Sequence, residues 1–101
     1  MKQGYVMATK MLVDDKRKVQ FMYREEPSNA QDSGWRFFCG EEEEEYVDNP
    51  NNIGIYDVQT ISKIDADIVP YLSSATGCAY ERENVNSAFA RSKDFTWGEG
   101  R

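Results

Sequence analysis

Five consecutive glutamates, Glu41 to Glu45, stand between a short aromatic run, Trp35 to Phe38, and a turn region rich in Asn, Gly and Pro. Adjacent like charges repel, and they oppose a β-strand whose neighbours are also acidic, so this run is expected as a helical turn or a solvated loop. From Glu41 to Asp57 the chain holds seven acids and no Lys or Arg, a local charge of −7. The whole chain carries −6, so everything outside that segment sums to +1. Acidity belongs to one stretch, and the core has to be built on either side of it.

Upstream, Tyr5 to Thr9 reads as a first strand, with Met11 to Val13 an extension of it or a turn. Asp14 to Lys18 is polar, after which Val19, Phe21 and Tyr23 alternate with Gln20, Met22 and Arg24 in strict period two. These two strands are expected to pair as a β-hairpin. Residues 25–34, EEPSNAQDSG, form an exposed loop. Trp35 to Cys39 is a third strand, with Trp35, Phe37 and Cys39 on one face and Arg36 and Phe38 on the other. An aromatic on each face predicts a central position.

Downstream, Tyr46 and Val47 offer an apolar anchor before the turn cluster Asp48 to Asn52. Asp57 is placed to cap a helix from Val58 to Lys63 that buries Ile61 and Ile64. Asp65 and Asp67 start a second turn, and Pro70 limits the apolar segment Ile68 to Leu72. Gly77 to Glu83 reads as a strand, Asn84 to Ser87 as a turn and Ala88 to Arg91 as a last strand. The class is therefore α+β, a small mainly antiparallel β-sheet of about five strands with one or two short helices. A length of 101 residues fits a single domain, 1–101, with its core at about 5–91 and 92–101 a candidate frayed tail.

The chain has no histidine, which removes Ser/His/Asp and Cys/His mechanisms, the usual general base near neutral pH and His-containing zinc sites. Cys39 and Cys78 show no CxxC spacing and are expected as small buried hydrophobes in a reducing compartment. Among the 18 acids no pair is singled out for acid/base work, and Asp57 between Tyr56 and Val58 is better explained as a cap. No catalytic residue is expected, and the chain reads as a non-enzyme. Adjacent glutamates lack the alternating ligands and central Gly of an EF-hand, so no metal or other cofactor is expected.

Partner classes narrow on the same grounds. Net negative charge opposes phosphate contact, so Phe21, Tyr23, Trp35, Phe37, Phe38 and Tyr46 are read as core rather than as a nucleic-acid stacking platform. No apolar run approaches the roughly 20 residues of a membrane span. The opening residues are too seldom apolar for a signal peptide, and cytoplasmic residence is the expectation. The acidic segment leaves two readings open: a docking surface for a basic protein, or a solvated face serving only solubility. On the first, the candidate partner-binding residues are Glu41, Glu42, Glu43, Glu44, Glu45, Tyr46 and Asp48. The first 24 residues hold six bases against two acids, and some of these are expected to face the acidic segment within the fold.

Three blocks carry a resemblance: MYREEP at Met22 to Pro27, SGWRFFCGEEEEEYVDNPNNIGIYDVQTI at Ser33 to Ile61, and IVPYL with GCAYER between Ile68 and Arg82. They resemble a bacterial immunity-protein family found beside polymorphic toxin genes and catalogued earlier as a domain of unknown function. The likeness covers about residues 5–90. It implies a small α+β cytoplasmic protein that binds and neutralises a cognate toxin, here a basic one that the acidic segment would attract. No functional residue carries over from it: Trp35, Gly40, Glu44, Glu45, Tyr46, Asp48, Asn49, Pro50, Gly54, Tyr56 and Asp57 match the pattern and suit fold roles equally. The unbroken glutamate run and the tail after Arg91 depart from the pattern. The competing class is a generic cytoplasmic interaction or regulatory domain.

Overall fold

Alternation along one strand organises the molecule. In a computed structural model that describes residues 4–84 and 86–91, β3 (Asp32–Phe38) buries Trp35 and Phe37 completely on one face, their rings stacked at 5.9 Å. Arg36 and Phe38 point to the opposite face. The strand sits inside a six-stranded sheet of order β4-β1-β3-β2-β5-β6, the central position expected of a strand with aromatics on both sides. Its neighbours are β1 (Tyr5–Thr9) and β2 (Phe21–Arg24); β4 (Ile53–Asp57), β5 (Ala79–Glu81) and β6 (Ala90–Arg91) complete the sheet. One pairing, β1 with β3, is parallel and the other four are antiparallel, so the sheet is mainly antiparallel.

The expected hairpin of the first two strands does not form, because β3 lies between them. Thr9 is the reason the chain leaves the sheet: its hydroxyl accepts the backbone N–H of Leu12 and caps α1 (Lys10–Asp14) in place of a strand extension or turn. Leu12 is then fully buried, and the helix carries the chain across the core face before β2 begins.

The core lies on one side of the sheet. Val6, Ala8, Met22, Trp35, Phe37 and Cys39 point toward Leu12 of α1, Ile61 of α3 (Val58–Ile64) and Ile68 of a 3-10 segment, Ala66–Tyr71. Asp57 caps α3 as expected, accepting the Gln59 N–H at 2.9 Å. Asn49 does the same for a 3-10 turn, Pro50–Asn52, through the N–H of Asn51. The last two strands are shorter than expected, beginning at Ala79 and Ala90. The candidate frayed tail, 92–101, lies outside the described residues.

A bulge bends β3 where a buried ion pair sits. Tyr5 pairs with Asp32 but Met7 pairs with Arg36, so β3 advances four residues while β1 advances two. Gly34 falls within the bulge at φ 92°, where a Cβ would collide with the Glu25 carbonyl oxygen. Four residues of regular strand span about 13 Å. The bulge shortens that path, and Arg36 grips Asp32 with two nitrogens, at 2.9 and 2.8 Å.

Candidate functional site

Gly40, at φ 92°, turns the chain out of β3 and into the glutamates. Glu42 folds back: its carboxylate accepts the Cys39 and Gly40 backbone N–H groups, each at 2.9 Å, and the Thr9 hydroxyl. Burial opposes its ionisation, but those donors outweigh it and hold the carboxyl below the ordinary glutamate range. Glu42 is thus half-buried, while Glu41, Glu43, Glu44 and Glu45 are exposed. The run divides into one inward anchor and four outward charges.

Glu44 and Glu45 open the short helix α2 (Glu44–Asp48), where negative charge suits the exposed N–H groups of a first turn. Tyr46 is half-buried, and its hydroxyl accepts the Met11 N–H at 2.9 Å, supplying an unpaired amide at the start of α1. Its ring is therefore partly committed to the fold. Asp48 is exposed. Glu41 meets Arg17 at 2.7 Å, so one of the N-terminal bases does face the acidic segment, as expected. Both partners are largely solvated, and such a pair contributes little to stability. Among the described residues Glu43, Glu44, Glu45 and Asp48 make no ion pair, so four exposed carboxylates remain uncompensated.

The sheet face opposite α1 and α3 holds a feature absent from the sequence reading. Val47 of α2, Met7, Phe38 and Ile53 wall a cavity of about 190 Å³, with Arg36 and Glu25 also in its lining. Arg36 is 6% exposed and is held by Asp32 and, through Nε, by Glu25. Asp32 is held well below the usual carboxylate range by hydrogen bonds from Arg36, against the opposing effect of burial. A guanidinium on a strand of otherwise buried residues was the available signal, since a buried charge requires acidic partners.

A second charged cluster closes on itself. Arg82 donates to Asp65, to Asp67 at 3.0 Å and to the Val19 carbonyl at 2.9 Å, and it stacks 4.2 Å from the Phe89 ring centroid. Asp65 also accepts the Val19 N–H at 2.9 Å and the Asp67 N–H at 3.0 Å. With its polar atoms engaged, this network ties the 3-10 segment to Val19, just before β2, and to Arg82, just after β5. Both cysteines are free and buried, and burial pushes the Cys39 thiol up to about 11 and raises Cys78 in the same direction. Such thiols stay protonated and are poor nucleophiles. Among the described residues no cluster of three or more Cys, Asp or Glu is arranged to hold a metal ion, and no helix is long and apolar enough to cross a membrane.

Compared with known proteins, residues 6–93 match the family model described as "Immunity protein Imm33 domain". No curated protein and no solved structure matches the chain.

Proposed function

Because the chain belongs to the Imm33 immunity-protein family, we propose that it binds and neutralises a cognate bacterial toxin through the acidic surface formed by Glu41, Glu43, Glu44, Glu45 and Asp48. The observation that carries the choice of surface is the set of four uncompensated carboxylates, Glu43, Glu44, Glu45 and Asp48, displayed on one loop and one short helix. Clustered like charges are relieved when a basic partner docks, which accelerates encounter and penalises acidic competitors. The partner is accordingly a basic toxin domain, met in the cytoplasm of the producing bacterium, and the mode of action is occlusion, without catalysis. Glu42 contributes by fixing the loop, and Tyr46 offers the solvent-facing part of its ring as an anchor. Affinity comes from a few desolvated contacts, with charge acting mainly on the association rate.

Co-expression with the toxin encoded beside its gene tests both parts. Wild-type chain should restore growth, and the variant Glu43→Gln, Glu44→Gln, Glu45→Gln, Asp48→Asn should restore it poorly while folding normally. Association of purified partners should weaken more for the variant at low salt than at high salt. Toxicity undiminished by the wild type would reject the immunity reading. Equal rescue by both forms would move the interface off the acidic surface.

A further inference from the structure

Beside α2, and on the sheet face opposite the core helices, the cavity walled by Met7, Phe38, Val47 and Ile53 is left without a role by the acidic surface alone. At about 190 Å³, and open to solvent at its mouth, it has room for one side chain. Its walls are apolar, and its charge is decided by one arginine with two acids. Asp32 takes both terminal nitrogens of Arg36 and has no exposed side-chain surface, so it cancels the guanidinium within the protein. Glu25 takes only Nε, and its side chain is 35% exposed. Two carboxylates on one guanidinium leave a net charge of −1, and that surplus surfaces at Glu25. Among the described residues its second oxygen accepts no hydrogen bond.

Resting on the toxin-binding reading above, we infer that this cavity receives an arginine side chain of the basic partner. The methylenes pack against Met7, Val47 and Ile53, and the guanidinium lies over Phe38 within reach of Glu25. An apolar guest would strip water from Glu25 and leave its second oxygen without a donor. An acidic guest would meet Glu25 and the carboxylates of α2 together. Arginine fits better than lysine because a guanidinium is weakly hydrated, stacks on an aromatic face and bonds a carboxylate through a planar fork. The acidic surface of α2 then attracts the partner, and the cavity fixes its register.

The test is an NMR titration of the full chain with the peptide acetyl-Gly-Arg-Gly-amide and with the same peptide carrying citrulline, the neutral isostere, in place of arginine. The arginine peptide should shift the signals of Met7, Val47 and Ile53 saturably, and the citrulline peptide should bind roughly tenfold more weakly. Glu25→Gln, which retains an acceptor for Arg36, should reduce arginine-peptide affinity to the citrulline level with an unchanged circular dichroism spectrum. Equal binding of the two peptides, shifts confined to Glu43–Glu45, or no saturable shift at millimolar peptide would each overturn the inference. Growth rescue reads separately: full rescue by Glu25→Gln keeps toxin neutralisation and rejects the cavity as its anchor point.

Discussion

Glu42 reaches 33 residues back along the chain to accept the Thr9 hydroxyl, the same hydroxyl that caps α1. A single carboxylate thereby ties the acidic loop to the end of β1 and the start of the first helix. The loop's shape depends on this contact, and the display of its neighbours depends on that shape.

Glu42→Gln should therefore cost about 1–2 kcal/mol of unfolding free energy, because a charged acceptor of three hydrogen bonds is replaced by a neutral amide. Glu43→Gln and Glu44→Gln, both exposed, should stay within about 0.5 kcal/mol of wild type. Urea denaturation of the three variants measures this. Equal losses at all three positions would contradict the inward role of Glu42.

Asp65 and Arg82 form an ion pair whose side chains are 0% and 1% exposed. Breaking such a pair from one side leaves an uncompensated buried charge, so Asp65→Asn or Arg82→Met alone should each cost about 3–5 kcal/mol. Together they should cost clearly less than the sum, since the two changes remove one interaction. Strictly additive losses in a double-mutant cycle would show the residues to be uncoupled.

Acid should destabilise the protein through Asp32. Hydrogen bonds from Arg36 are the largest influence on its carboxyl and hold it below the ordinary range, although burial opposes them. A carboxyl with a depressed folded-state pKa binds fewer protons folded than unfolded, so its contribution is complete above its unfolded pKa of about 3.9 and is lost as pH falls toward the lower folded value. Glu42, shifted the same way, adds to the trend. Asp32→Asn should be less stable at neutral pH by about 3 kcal/mol and should lose stability less steeply below about pH 4. Denaturation series at several acidic pH values would expose an unchanged slope, the result that rejects this assignment.

The two thiols should resist modification. Cys39 and Cys78 are buried, and burial raises both above the ordinary thiol range. A thiol-reactive dye at mildly alkaline pH should label native protein slowly and denatured protein with a stoichiometry of two, the number of cysteines in the chain. Rapid labelling of either residue in the native state would mean that the core opens locally.

Several features were legible from the residues because their causes lie within a few positions. Asp57 caps α3 through an N–H two residues ahead, the Asn49–Asn52 turn follows from side chains bonding their own backbone, and alternation puts Trp35 and Phe37 on one face of β3, the face that the fold buries. The resemblance carried by the Gly34–Asp57 stretch agrees with the family match over residues 6–93. The strand order was not legible: a strand's periodicity says which side chains face inward and nothing about its partner, so β3 could enter between β1 and β2 unannounced. Nor were the roles within the glutamate run, since five identical residues differ only in what the fold brings to them. Thr9 selects Glu42, Arg17 selects Glu41, and Val47 becomes a cavity wall because β1 and β3 lie beneath it. Local chemistry determined caps and turns; pairing over long separations, where loop closure must be offset by packing, decided which carboxylates are drawn into the fold and which are left exposed.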